Sequence, residues 1–181
     1  DQDEGYSFAH ALRSILRQNP NILMVGEVRD PETAQTAVRA SLTGHLVLST
    51  LHTNDAPSAF QRLINLKVEP NDIASSCNMI VSQRLVRRVC DNCREPYSPS
   101  KEKVEELKEK LSSVPEGLRP DYDNITLYKA QGCKKCSNTG YKGQTGIFEI
   151  LFVNQEIQNL ITSGAPTQEI KKAAMKAKKK N

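Results

Sequence analysis

The stretch ILMVGEVRDPETAQTAVRASLTGHLVLSTLHT, residues 22–53, decides the fold. It opens with a continuous apolar run, Ile22-Leu23-Met24-Val25-Gly26, of the kind found in a buried parallel strand. Asp30-Pro31 then starts a helix, with Asp30 as cap and Pro31 at the first helical position, where its missing N–H costs nothing. Ala34, Ala37, Val38 and Leu42 recur at helical spacing and form the stripe this helix should bury, and Gly44 closes it. A second apolar strand, His45 to Leu51, follows. Strand, helix and strand, with a crossover of this length, imply a right-handed parallel βαβ unit and an α/β fold.

In an open parallel sheet, ligands sit beyond the carboxyl ends of the strands. Glu27 directly follows the first strand and His52 ends the second, so neighbouring strands would open both groups into one crevice. An apolar strand ending in an acid is the Walker-B pattern, whose carboxylate orders Mg²⁺ and its water or positions the attacking water. Gly26 lets a ligand approach the backbone closely. The same pattern also describes an ordinary strand ending in Glu, and a lone His52 fits a hydrogen-bonded structural histidine. Arg13 and Arg17 share a helix face at i, i+4. They are either solvated surface charges or positive charge offered to a phosphate of this or a neighbouring subunit.

Outward from this core, Ser7 to Arg17 reads as a helix with Ser7 as cap, broken by Asn19-Pro20-Asn21. A helix is expected over Ala56 to Leu66, capped by Asn54 or Asp55, and a long one over Asn71 to Val89. Lys101 to Leu111 is a charged helix whose acids and bases pair along one face. Residues 114–123 read as loop. Gly140, Gly143 and Gly146 form a turn before a strand over Ile147 to Val153. Helices follow over Gln155 to Ser163 and from Pro166 into a lysine tail.

Four of the five cysteines form two matching pairs, Cys90-x-x-Cys93 and Cys133-x-x-Cys136. Two such pairs can close a tetrahedral shell around a structural zinc ion, leaving no open position for substrate. Lys134 and Lys135 offset the charge of a zinc–tetrathiolate centre. Disulfides or free thiols are the other reading; residues 1–10 do not read as a secretory signal, so a reducing compartment, which favours metal, is expected. Cys77 reads as a small buried hydrophobe.

Composition narrows the classes. Hydrophobic residues are 38% and charged residues 25%, so the chain is globular. No apolar run approaches a membrane span. The net charge of +4 is carried by the tail: removing Lys171, Lys172, Lys176, Lys178, Lys179 and Lys180 leaves 19 basic residues against 21 acidic. The body is therefore not basic, and with aromatics at 5% it is not expected to bind nucleic acid directly. The tail reads as a frayed helix end or as a contact for anionic lipid or an acidic partner. With no initiator methionine and no basic start, the chain reads as a piece of a longer one.

The string GEVRDPETAQTAVRASLTGHLVLSTLHTNDA, residues 26–56, resembles the signature of the secretion ATPases of type II secretion and type IV pilus assembly. The resemblance extends to residues 12–20, to residues 82–90 before the cysteines and to residues 140–149 after them. The tetracysteine insert points to the secretion or pilus-extension branch rather than the retraction motor. It implies a RecA-like P-loop NTPase core in residues 1–89, a zinc-binding module in 90–136, and a C-terminal strand and helices in 137–181. It implies that Glu27 is the Walker-B acid and that His52 is the His-box residue near the γ-phosphate. His45 would be the second His-box histidine, shaping the start of its strand. Arg13 and Arg17 would face phosphate or a neighbouring subunit, and Cys90, Cys93, Cys133 and Cys136 would hold zinc. ATP, Mg²⁺ and Zn²⁺ are the implied cofactors. A homo-hexameric ring on the cytoplasmic side of the inner membrane, working with a membrane platform protein, is the implied assembly. A DNA-uptake ATPase shares these motifs, and a free-standing zinc-binding interaction domain is the reading from another class. No G-x-x-x-x-G-K-S/T phosphate loop occurs in these residues, so the chain alone is expected to be inactive.

Overall fold

The computed structural model describes residues 8–112, 114 and 116–177. The expected cap Ser7 and the last three lysines of the tail lie outside them. In chain order the elements begin with α1 (Phe8–Leu16), β1 (Ile22–Val25), α2 (Pro31–Leu42), β2 (Leu46–Ser49), α3 (Ser58–Asn65) and α4 (Pro70–Ser76). Next come β3 (Met79–Val89), β4 (Arg94–Tyr97), α5 (Lys101–Lys110), β5 (Leu127–Ala130), β6 (Tyr141–Phe152), α6 (Gln155–Thr162) and α7 (Thr167–Ala177). The chain divides into two compact units, one of Asp1–Ser82 with Glu149–Asn181, the other of Gln83–Phe148.

The first unit is built on the expected βαβ crossover. Asp30 caps α2 by accepting hydrogen bonds from the Thr33 amide and hydroxyl, each at 2.8 Å. These bonds, the amide's first, hold the Asp30 carboxyl below its usual range against a smaller opposing effect of burial. β1 and β2 pair in parallel from Ile22↔Leu46 to Val25↔Ser49. Two further bonds continue the pairing past the strand ends: the Thr50 hydroxyl donates to the Gly26 carbonyl at 2.6 Å, and the Val28 amide to the Thr50 carbonyl at 3.1 Å.

β1 differs from a strand buried on both faces. Leu23 and Val25 are buried, whereas Met24 is 81% exposed, and Ile22, Leu46 and Leu48 are exposed as well. Side chains alternate across a strand, and only one face is covered among the described residues. Leu42 is likewise exposed, while Ala34 and Ala37 are buried as expected.

The core of this unit is apolar. Val25, Phe60, Ile73, Ile157 and Ile161 are its largest fully buried apolar side chains. Leu12, Leu63, Leu151 and Ile170 pack in the same cluster. α6 starts where Asn154 accepts from the Ile157 amide at 3.0 Å, so its cap and its first core residue are set together.

The expected helix over Asn71 to Val89 is corrected: α4 ends at Ser76 and Met79–Val89 is β3. Ile80, Val81, Val86 and Val89 are β-branched, and residues 79–89 satisfy a period of two as readily as a helical one. β6 likewise begins at Tyr141, earlier than the expected Ile147, so Gly143 and Gly146 lie within a strand. β3 and β6 pair with each other, and the chain leaves the first unit along β3 and returns to it along β6.

The second unit contains the antiparallel pair β4–β5, in register from Arg94↔Ala130 to Tyr97↔Leu127. α5 is the expected charged helix, capped by Ser100, with Glu106 bound by Lys103 at 2.7 Å and Lys110 at 2.5 Å. Those two ammonium groups, Lys103 first, bring the Glu106 carboxyl down to about 2. Among the described residues 83–148, the buried positions are Cys90, Cys136 and Gly140. Its described interior therefore consists of two cysteines and a glycine rather than an apolar cluster.

Phe60→Ala should destabilise the first unit by about 3–5 kcal/mol, through lost burial and the cavity left behind. Chemical denaturation should show this as a lowered midpoint, with the metal content unchanged.

Candidate functional site

β1 and β2 run in the same direction, so the residues after them emerge at the same edge of the sheet. Glu27 and His52 meet there: the His52 Nε2 lies 2.8 Å from Glu27 Oε1. The other carboxylate oxygen, Oε2, pairs with the Arg29 guanidinium at 2.5 Å. Glu27 is 22% exposed, whereas His52 is 86% exposed and Arg29 76%. The acid is thus fixed and its two partners stand in solvent. The Arg29 hydrogen bond lowers the Glu27 pKa most, burial opposes it, and the charges of Arg29 and His52 add to the lowering. The carboxylate therefore stays ionised as pH falls, until pH drops below the ordinary carboxylate range. A Cβ at Gly26 would meet no atom within 4 Å, so the backbone beside Glu27 is open to a ligand.

The remaining candidates are placed elsewhere in the first unit. His45 sits at the opposite end of β2 from His52, with Nδ1 3.0 Å from the Ala40 carbonyl and 3.3 Å from the Thr43 hydroxyl. It closes the α2–β2 turn. Arg13 pairs with Glu32 of the first turn of α2 at 2.8 Å. Arg17 is exposed in the turn just past α1, which ends at Leu16 rather than at the expected Arg17, and has no ion pair among the described residues. Arg29 was not singled out by sequence reasoning, because nothing in its spacing marks it. Only the fold of the loop turns it back onto Glu27.

The second site lies within the second unit. Cys93 immediately precedes β4 and Cys133 follows β5, so the antiparallel pairing returns the chain across the long gap between them. The Cys90 amide donates to the Gly140 carbonyl at 2.9 Å, which brings the first cysteine beside the last. The four sulfurs all lie within 4.8 Å of one another. Cys136 Sγ is 3.7 Å from that of Cys133 and 3.8 Å from that of Cys93. A metal–sulfur bond of about 2.3 Å gives a tetrahedral edge of about 3.8 Å. All five cysteines are free, and this donor set fits a four-thiolate metal site.

Backbone amides support these sulfurs. The Cys133 amide donates to Cys136 Sγ at 3.2 Å and the Gly140 amide at 3.3 Å. The Gly132 amide donates to Cys93 Sγ at 3.4 Å, and the Asn92 side chain to Cys133 Sγ at 3.6 Å. Burial raises the Cys136 thiol most, but the amides of Cys133 and Gly140 and hydrogen bonds with the Cys133 and Cys93 thiols together bring the group down to about 6. Two glycines are required by this geometry. Gly132 has φ +110° and a Cβ there would lie 2.8 Å from the Asn138 carbonyl oxygen. Gly140 has φ +75° and a Cβ there would lie 2.7 Å from the Ala130 Cβ. Cys77 stands apart, at the end of α4, where burial raises its thiol to about 11.

Residues 1–181 match the model of the family described as "Type II/IV secretion system protein", and the chain belongs to that family. It is 44% identical over 175 residues to the type IV pilus assembly ATPase PilB of Myxococcus xanthus, covering 96% of this chain and 30% of that protein. It is 49% identical over 166 residues to the type II secretion system ATPase E of Vibrio cholerae, covering 92% and 31%. Among solved structures, the pilus retraction motor PilT with bound ADP matches at a TM-score of 0.55 and 27% identity, over 87% of this chain and 33% of that one. The ATPase DotB of Legionella pneumophila matches in fold alone, at a TM-score of 0.56 and 23% identity over 94% of this chain and 34% of that one. The chain spans about a third of the length of the curated relatives it matches. No helix among the described residues is long and apolar enough to cross a membrane.

The purified chain should carry about one divalent ion, read by elemental analysis, and a Cys133→Ser/Cys136→Ser variant should lose it. Chelation should release amides 83–148 to hydrogen exchange while the apolar core of the first unit stays protected. Stoichiometric metal retained by the double variant refutes this ligand set.

Proposed function

We propose that this chain is the Walker-B and His-box portion of a hexameric RecA-like motor ATPase, in which ATP hydrolysis drives pilin or pseudopilin assembly and protein secretion. The observation that carries the reading is the 2.8 Å contact between Glu27 and His52 at the ends of two paired parallel strands, in a chain of the type II/IV secretion family. Several relatives carry the printed name of ATPase, which supports the activity for the intact protein.

In this reading Glu27 is the carboxylate that accepts from and orients a water at the edge of the sheet. Mg²⁺, when bound, neutralises phosphate charge there. Glu27 suits that role because its carboxylate stays ionised and is held from two sides. His52 is exposed beside Glu27, where its ring faces the space a terminal phosphate would occupy in this reading. Gly26 leaves backbone open beside the phosphates. Arg13 on α1 and Arg17 just past its end offer guanidinium groups to a phosphate of this or an adjacent subunit, Arg13 after leaving Glu32. His45 acts at a distance, by setting the start of β2.

The four cysteines hold a structural zinc that organises residues 83–148, and the resulting module projects from the ring. The intact protein works at the cytoplasmic face of the inner membrane with a platform protein, and direct nucleic-acid contact is not part of the reading. The 181 residues contain no phosphate loop, whose amides and lysine would cradle the phosphates. The chain alone therefore holds ATP weakly.

The purified 181-residue chain should show no ATP turnover. In the full-length protein, Glu27→Gln should lower kcat by at least about 100-fold. Turnover by the isolated chain that Glu27→Gln abolishes would overturn the claim that it cannot act alone, and full activity of that variant in the intact protein would sink the assignment of Glu27.

A further inference from the structure

We infer that Glu149 is a positioning residue for the loop that carries His52. The inference rests on the ATPase reading above and extends it to a residue of β6 that the site had not claimed.

The loop from Thr50 to Pro57 joins β2 to α3 and carries His52 near its start. Several ties hold it to β1 and to the start of α3. Thr50 is bound to the Gly26 carbonyl at 2.6 Å, and the Thr53 hydroxyl donates to the Asp55 carbonyl at 3.1 Å. Asp55 Oδ1 accepts from the Ser58 amide at 3.0 Å and from the Ser58 hydroxyl. One tie reaches much further in sequence: the Ala56 amide donates to Glu149 Oε2 at 2.9 Å, across 93 positions. Ala56 is fully buried, so its N–H has no access to solvent and depends on this carboxylate.

The position of Glu149 argues that the bond is its purpose. Side chains two apart share a face of a strand, and Leu151, two residues on, is 2% exposed in the apolar core. Glu149 shares that face and is half-buried at the edge of the core, while Ile147, two residues before it, is exposed. A half-buried carboxylate gives up part of its hydration, and the Ala56 amide replaces it with a hydrogen bond. The amide it accepts from lies two residues before α3 begins, so the bond fixes the approach of the loop to that helix. With both ends of the loop held, at Gly26 and at Glu149, His52 is confined between two fixed points and stays within reach of Glu27.

The test compares Glu149→Gln, which keeps an acceptor oxygen for Ala56, with Glu149→Ala, which removes it. In the full-length protein, Glu149→Ala should lower kcat for ATP hydrolysis about 10- to 100-fold with KM within about twofold, while Glu149→Gln stays within about threefold of the parent. In the 181-residue chain, amide NMR should show faster hydrogen exchange at Ala56 in Glu149→Ala and not in Glu149→Gln. Should Glu149→Ala fail to fold, Glu149→Asp is read in its place, with kcat expected about tenfold down. Parent-like kcat in Glu149→Ala, or an equal loss in Glu149→Gln, overturns the inference. Glu27→Gln separates the two claims: if that variant remains active the site reading fails, whereas if it is dead and Glu149→Ala is not, only the role of Glu149 fails.

Discussion

The parallel register that sets Val25 opposite Ser49 governs the first unit. A parallel pair forces the chain to cross over, and α2 is that crossover. It also places both strand ends at one edge, where Glu27 and His52 are 2.8 Å apart although 24 residues lie between them in sequence. The bonds from Thr50 to Gly26 and from Val28 to Thr50 carry the pairing one step further, into the two loops that bear the polar groups. A slip of one residue would turn Val25 out of the core and aim Glu27 away from the histidine.

The second unit obeys a different constraint. Its described interior contains two cysteines and a glycine in place of an apolar cluster, so burial of hydrocarbon contributes little to holding it. Four sulfurs converge at the open ends of two strand pairs, supported by amides from Cys133, Gly140 and Gly132. A small unit without a core needs a staple, and a four-thiolate metal site is the staple this donor set fits. The charged helix α5, with its surface ion pairs, adds little stability and serves to span the gap between the cysteine pairs.

Much of the fold was legible because local chemistry and tertiary need agree. Asp30 and Asn154 cap the helices they precede, and Asp55 binds the first amide of α3. The cysteine spacing announced the sulfur cluster. Residues 79–89 were not legible, because their apolar positions satisfy helical and strand periods alike and only pairing with β6 chooses between them. β4 and β5 were missed for the opposite reason. Each is four residues long, one contains Pro96, and neither carries enough pattern to signal a strand before its partner arrives.

The sequence by itself determined the crossover, the acid and the histidine at its strand ends, and the four metal-type ligands, since each is written in neighbouring residues through periodicity, capping or spacing. Tertiary structure alone decided that Arg29 folds back onto Glu27, that Arg13 is occupied by Glu32, that His45 serves a turn, and that Glu149 reaches Ala56. Each of these is a choice of partner. The side chains could pair with several groups of suitable charge or hydrogen-bonding capacity, and only the folded backbone, by bringing one within about 3 Å, makes that choice.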